Sequence, residues 1–175
     1  MGDGPAATDE LAVVERLLER AGMRRSTAAA PGVLISVGDG ETVYAVAEEH
    51  GRGRFEERQR GSLNETVATS TPAVAVRFLT YRLATLARPT WWPLLDPADY
   101  APGVRLEAVE DGQRLSWDDD WLLFHRQGPA DTEARPFSWV VRATAGQVAA
   151  SFLEPSGAPL FTGVATAAER RPMAR

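Results

Sequence analysis

Short apolar segments separated by glycine-containing turns constrain the fold of this chain more than any other feature. The segments 33–37 and 42–46 (VLISV and TVYAV) flank Gly38-Asp39-Gly40. This is the pattern of a β-hairpin with a glycine-rich turn. A further segment, Leu63–Thr69, predicts one more short strand soon afterwards.

The C-terminal half of the chain repeats this pattern. Three segments, 104–109, 113–117 and 121–125, are separated by Asp111-Gly112 and by the run Asp118–Asp120. Two successive hairpins of this kind predict a three-stranded antiparallel meander.

Two segments have the apolar spacing of amphipathic helices. In residues 9–21 the apolar side chains recur every three or four positions, and Gly22 ends the segment. Residues 72–87 predict a second helix, because Pro72 suits the first helical turn and Pro89 stops the helix.

The other segments give less regular patterns. Segment 48–61 (EEHGRGRFEERQRG) is too charged for a core element. Segment 88–102 contains four prolines and paired tryptophans, and it predicts a loop that packs down or serves as a contact. Segment 136–143 (PFSWVVRA) predicts a strand. Thr144 can cap a short helix over 146–152, for which a strand is the alternative.

These elements predict a single α+β domain with a mostly antiparallel, twisted sheet built from hairpins and two main helices packed on one face. We expect this domain to cover residues 9–163, between a flexible N-terminus (1–8) and a flexible C-terminal tail (164–175). A chain of 175 residues, 44% of them apolar, can bury a core without disulfides, and this chain contains no cysteine.

The sequence also bears on where the protein works. No apolar stretch approaches the about 18 residues that span a bilayer, so we expect no membrane partner. The N-terminus MGDGPAATDE is acidic where a signal peptide would be basic. We therefore expect a cytoplasmic protein.

Charge is distributed unevenly along the chain. All 19 bases are arginine, and the net charge is −5. Residues 96–121 hold eight acids and two bases, so the rest of the chain is close to neutral. A concentrated acidic field repels phosphate backbones and favours basic partners, so nucleic acid is not an expected ligand. A solvated acidic face is the alternative interpretation.

No constellation of residues identifies a catalytic chemistry. His50 lies in a charged segment and His125 at a strand end, and neither has a hydrolase or zinc-ligand motif around it. The Asp118–Asp120 run supplies the oxygen ligands that Ca²⁺ or Mg²⁺ takes but lacks the spacing of an EF-hand, and a β-turn explains it without an ion. We predict no catalytic residue, metal or cofactor.

The tryptophans leave two interpretations open. Several of the five stand beside acids, which is typical of an interface with aromatic anchors and an acidic rim. Core positions are the alternative, above all for Trp139 in FSWVV. The five are Trp91, Trp92, Trp117, Trp121 and Trp139.

The order of these segments resembles that of bacterial immunity proteins, the antitoxins of polymorphic toxin systems, and most closely the tuberculosis necrotizing toxin (TNT) antitoxin family. The blocks that carry the resemblance are ERLLERAGM, the strand Tyr44–Val46 running into EEHGRGRFEE, RFLTYRLATLAR, the acid-rich hairpin 113–125, PFSWVV and SFLEPSGAPLF. Together they span about residues 10–163, most of the chain, and the proline-tryptophan segment 88–97 does not match the group.

The resemblance implies a small α+β protein that binds a cognate secreted toxin in the cytoplasm and occludes the toxin's active site. For this family the toxin is similar to an NAD(P)-glycohydrolase, so the antitoxin protects the NAD pool and catalyses nothing itself. We expect one toxin to bind one antitoxin, and we expect the free antitoxin to be monomeric.

From charge and exposure we predict that toxin contacts lie in the GRGRF loop and in the acidic hairpin. The candidate residues are Arg52, Arg54, Phe55, Trp117, Asp118, Asp119, Asp120 and Trp121. Two alternatives come from other functional classes. One is a chaperone or adaptor for a secreted protein. The other is a small-ligand-binding domain, or an enzyme that acts on a small ligand through His50 or His125.

Overall fold

A computed structural model describes residues 5–26, 31–92, 94–125 and 131–166. Its four helices are α1 (Pro5–Ala21), α2 (Pro72–Ala87), α3 (Asp131–Ser138) and α4 (Ala145–Phe152). The strands are β1 (Arg24–Arg25), β2 (Val33–Gly38), β3 (Thr42–Glu49), β4 (Arg52–Gln59), β5 (Ser62–Thr69), β6 (Arg105–Val109), β7 (Gly112–Trp117) and β8 (Asp120–Phe124). The predicted single α+β fold is confirmed.

All eight strands join one antiparallel sheet in the order β1-β2-β3-β4-β5-β8-β7-β6. The predicted hairpin is the β2–β3 pair, and the predicted meander is β6–β7–β8. The two halves meet where β5 pairs with β8, with Val67 opposite Phe124 and Thr69 opposite Leu122. Sequence-distant strands therefore become neighbours at the centre of the sheet.

The core lies between one face of this sheet and the helices. Phe78 of α2 is fully buried at its centre. Its ring lies 5.0 Å from that of Phe55, 6.0 Å from that of Phe124 and 5.1 Å from that of Phe137. α1 and α4 pack against α2. Alternate residues of the same strands, such as Arg54, point to the other face, which remains partly exposed and which we call the open face.

The prediction that segment 48–61 is too charged for the core was wrong, because this segment forms the central strand β4. Its residues alternate in the period of a strand: Phe55 is fully buried and Glu57 is 8% exposed, whereas Arg54 and Glu56 lie on the open face. Most of the charges therefore stay near water although the strand is central.

The predicted strand 136–143 was also wrong. The end of α3 and a series of turns occupy this segment, with Val140 N–H donating to Phe137 O and Ala143 N–H to Val140 O. The buried side chains Phe137, Val140 and Val141 follow a spacing of three to four residues, which is the helical period and not the strand period.

The helix predictions differ from the structure mainly at their ends. α2 has the predicted bounds, and the Thr71 hydroxyl accepts from the N–H of Val74 as its cap. α4 takes the helical alternative, with Thr144 and Gln147 forming a capping box. α1 begins at Pro5, before the predicted start.

The predicted tail is ordered at its beginning. Ala98 N–H donates to Ala165 O at 2.9 Å, and Thr166 pairs with Pro97. The remaining predicted termini, 1–4 and 167–175, lie outside the described residues.

Candidate protein interaction surface

The strand order brings the two predicted contact segments together at one end of the sheet. Thr69 of β5 lies opposite both Gly53 of β4 and Leu122 of β8. Arg52 and Trp121, the preceding residues of their strands, consequently lie at the same end as the β7–β8 turn. We call this region the turn-end surface; of the predicted residues it contains Arg52, Arg54, Asp118, Asp119, Asp120 and Trp121.

Trp121 is the aromatic centre of the turn-end surface. The guanidinium of Arg52 lies 5.7 Å from the centre of its ring and that of Arg114 lies 4.9 Å away. Contacts of this kind contribute about 0.5–1 kcal/mol at exposed sites. Neither Arg52 nor Arg114 has a carboxylate within 4.0 Å among the described residues. Both cations therefore remain available to a partner.

A hollow of about 330 Å³ opens beside Trp121 on the open face. Its apolar lining comes from Trp121, Leu123 and Val109, and its charged lining from Arg52, Arg114, Glu110 and Asp111. The hollow combines an aromatic floor with charges of both signs, which suits a protruding side chain of a protein partner. Sequence analysis missed Arg114, whose alternating position on β7 was the signal that could have identified it.

The three aspartates of the β7–β8 turn differ in their surroundings. Arg142 donates two hydrogen bonds to Asp118, at 2.8 and 2.9 Å, which hold the pKa of that carboxyl below its usual value. The Asp120 carboxylate accepts from the Ser70 hydroxyl. Asp119 is exposed and has no hydrogen bond or ion pair with the described residues. Neither Asp119 nor Asp120 has an arginine partner among the described residues, and Asp119 is the more exposed of the two.

Arg54 is partly available to a partner. Its side chain is 40% exposed on the open face and lies 3.3 Å from Glu56 and 3.7 Å from Glu49. These neighbours neutralise much of its charge, so Arg54 is better suited to the rim of an interface than to its centre.

Two of the predicted contact residues belong to the core instead. Phe55 is 0% exposed and its ring lies 5.5 Å from that of Tyr44, and Trp117 is 3% exposed beside Phe137. Both occupy strand positions that face the helices. A partner docking on the folded protein cannot reach them, which corrects their assignment as contacts.

The histidines do not form a common site. His50 is the exposed turn residue between β3 and β4, with a φ of 52°. His125 directly follows the last residue of β8, far along that strand from the β7–β8 turn, and its N–H donates to Thr66 O. Across the described residues, no group of three or more His, Cys, Asp or Glu side chains could hold a metal ion.

A second exposed surface lies in the segment between α2 and β6. Trp91 is 79% exposed and Leu94 is 83% exposed, the highest values among the large apolar side chains that the structure describes. The sequence predicted that this segment packs down or serves as a contact, and its two tryptophans differ in exposure. Trp92 packs beside Arg88, whereas Trp91 points to solvent.

None of the helices in the described ranges is both long enough and apolar enough to cross a membrane.

The fold and its surfaces define a small α+β protein whose helices cover one face of an antiparallel sheet and whose other face is open. The sequence matches the family model described as Immunity protein 61 over residues 17–160, and the chain belongs to this family. The resemblance to immunity proteins drawn from the sequence is confirmed.

A solved structure supports the fold. The chain is similar to the structure titled Rv3902c from M. tuberculosis, with a TM-score of 0.64 and 16% sequence identity. The match covers 84% of this chain and 90% of that chain. No curated protein matches the sequence.

Proposed function

We propose that this protein neutralises a cognate secreted toxin by binding over the toxin's active site through the turn-end surface. Its family of immunity proteins supports a protein toxin as the partner. The observation that carries the choice of surface is Trp121, which on the open face contacts two arginines that have no ion pair with a described carboxylate. The exposed Asp119 lies two residues before it in the adjoining turn.

The turn-end surface has the physical properties that such an inhibitor needs. A stacked aromatic side chain with cationic neighbours is a frequent anchor in the centre of protein interfaces. An exposed carboxylate beside that anchor attracts a basic partner and speeds association. The capping bonds of Thr71 and the Ser70–Asp120 hydrogen bond hold the surrounding turns in place before binding.

The sequence resemblance to TNT antitoxins further specifies the partner. It supports an NAD(P)-glycohydrolase as the toxin, one toxin per antitoxin chain, a cytoplasmic location in the producing cell, and a protein that blocks a reaction without catalysing one. The system would then be of the polymorphic toxin type.

The experiment that tests this proposal is co-expression with the protein encoded by the neighbouring reading frame, followed by an NAD-consumption assay. We expect the two proteins to copurify one to one and NAD loss to stop when this protein is added in equal amount. A partner that copurifies without consuming NAD would contradict the glycohydrolase assignment and favour an adaptor. A partner that still consumes NAD in the complex would contradict active-site occlusion.

Two variants test the surface itself. Trp121→Ala should weaken toxin binding by more than about tenfold, since a central aromatic anchor contributes at least about 2 kcal/mol. Asp119→Asn should slow association and flatten its dependence on salt. The matched controls are Leu63→Ala, which removes a 52% exposed apolar side chain elsewhere on the sheet, and Glu19→Gln on α1. Equal effects of variants and controls would place the toxin on another surface.

A further inference from the structure

The segment after α2 presents an apolar projection that the proposed toxin contact does not use. Trp91 and Leu94 are 79% and 83% exposed, and we call this pair the apolar knob. A large apolar side chain gains about 1.5–3 kcal/mol when it is buried rather than exposed. Two such side chains three positions apart in one exposed segment indicate a contact surface.

Arg88 fixes the base of the apolar knob. Its guanidinium donates to Phe152 O at 2.9 Å and to the carbonyls of Glu154 and Pro155 at 3.0 Å each. The same group lies 5.2 Å from the ring centre of Trp92. Trp92 in turn meets Trp91 edge to face at 5.5 Å, so this anchored ring supports Trp91 and reduces the entropy that Trp91 loses when it binds.

A hollow of about 780 Å³ lies directly beside the knob, with Leu94 on its rim. This volume falls in the range of pockets that enclose a small molecule, so the hollow has room for an indole side chain. Its apolar lining is contributed by Tyr81, Trp92, Leu95, Pro136 and Phe152. The same patch of surface thus contains a projecting tryptophan and an apolar hollow.

We propose that the apolar knob of one copy of this chain docks into the hollow of a second copy, and the reverse, to form a two-fold symmetric dimer. A two-fold interface uses the same patch on both subunits, so the patch must complement itself. A knob and a hollow side by side meet this requirement, whereas a knob alone would need a different partner.

The charges of the patch agree with a second copy as its occupant. Two chains of net charge −5 repel each other, so their contact must avoid acidic groups. The charged side chains lining the hollow are Arg88, Arg135 and Asp96, and Asp96 lies 4.0 Å from Arg135. The patch therefore carries no excess of acid, unlike residues 96–121 as a whole.

The dimer would leave the turn-end surface free. α2 begins beside Ser70 at that surface and ends at Ala87 just before the knob, and a helix of 16 residues is about 24 Å long. Each subunit could still bind one toxin. The free protein would then be a dimer in place of the monomer expected from the sequence.

Sedimentation velocity of the full chain without toxin, from low to high micromolar concentration, tests the proposal. We expect the wild type to move from monomer to dimer across this range, and the double variant Trp91→Ala/Leu94→Ala to remain monomeric. Thr85→Arg, which obstructs the hollow from an exposed position on α2, should also remain monomeric. The control Leu34→Ala/Leu63→Ala removes side chains that are 50% and 52% exposed elsewhere and should dimerise like the wild type.

Several results would overturn the dimer. A monomeric wild type at every concentration would do so, as would dimers that persist in both patch variants. If the wild type is monomeric and a chain ending at Thr166 dimerises, residues 167–175 occupy the hollow instead. If the wild type is monomeric and the double variant loses toxin affinity, the toxin occupies it. The NAD assay is independent of sedimentation, so either proposal can fail alone.

Discussion

Arg82 of α2 and Glu57 of β4 form an ion pair between helix and sheet, with only 21% and 10% of their side chains exposed. The same guanidinium contacts Glu133 of α3 and lies 3.3 Å from Glu65 of β5. Glu57 and Glu65 stand directly opposite each other across the β4–β5 pair, which is a destabilising arrangement of like charges. Arg82 therefore makes this pairing possible and connects the sheet to two helices.

Replacing Arg82 with Met should lower the free energy of unfolding by about 3–5 kcal/mol, because three largely buried carboxylates lose their cation. Urea unfolding measures this change. The control is Arg58→Met, which removes an arginine that is 47% exposed and bound to Glu56, and it should cost less than about 1 kcal/mol. A similar loss in both variants would show that Arg82 has no special structural role.

The Arg82 contacts also explain why the sequence predicted some strands and missed β4. Apolar segments on both sides of a glycine-rich turn identified β2 and β3, and their inward positions are apolar. In β4 the inward position Glu57 is charged, and the cation that neutralises it lies 25 residues away in the chain. A local pattern contains no information about such a partner, so the charge of segment 48–61 outweighed its alternation.

A related limit applies to segment 136–143. Phe137, Trp139, Val140 and Val141 favour a strand by composition, but three of them are buried at helical spacing while Trp139 donates from its indole to Asp99 O at 3.0 Å. Tertiary packing overrode local propensity here. By contrast, α2 was predicted with its bounds because proline, capping threonine and apolar periodicity all agree there.

The candidate surface was predictable only in part, because local signals identify exposed segments but not which segments the fold brings together. Charge and turn signals placed Arg52, Asp119 and Trp121 in exposed segments, but only the β5–β8 pairing brings these segments together. Phe55 and Trp117 share those segments and point inward, which depends on the strand register. Whether one side chain in such a segment is exposed depends on the strand register, which its neighbours in the sequence do not determine.

Gly53 fixes the distance between β4 and the start of α2. A Cβ atom at this position would lie 2.4 Å from Thr69 Oγ1, 2.6 Å from Thr71 O and 2.8 Å from Ala75 Cβ. Gly53→Ala should therefore destabilise the protein by about 1–3 kcal/mol through overpacking. Gly146→Ala in α4, where the nearest atom is 3.8 Å away, should instead stabilise it by about 0.4–1 kcal/mol. Thermal unfolding measures the change in stability of both variants. A change of the same sign in Gly53→Ala and Gly146→Ala would contradict the close approach at Gly53.

Two buried tyrosines should make stability fall at alkaline pH. Burial raises the pKa of Tyr81 and of Tyr44, with Arg82 opposing the shift in both. An unfolded tyrosine ionises near pH 10. The stability that comes from keeping these two tyrosines neutral in the folded protein is therefore fully present below about pH 10, and it is lost as the pH rises above that value. Tyrosinate absorbance during an alkaline titration should show Tyr44 and Tyr81 ionising at higher pH in the folded protein than in the unfolded chain. Tyr81→Phe should weaken the alkaline loss of stability, and an unchanged pH profile would contradict the assignment.

The Asp118–Arg142 pair gives a prediction at acid pH that also bears on toxin binding. The hydrogen bonds from Arg142 lower the pKa of Asp118, so the pair stabilises the turn above about pH 4 and loses this effect as the pH falls through the lower, folded-state value. Carboxyl NMR should show the pKa of Asp118 returning toward about 3.9 in Arg142→Met, and no change in Arg105→Met, which removes an exposed arginine of β6. At neutral pH the Arg142 variant frees a further negative charge, that of Asp118, beside Asp119 and Asp120. If the turn-end surface attracts a basic toxin, Arg142→Met should associate faster than the wild type at low salt, and a slower rate would argue against that attraction.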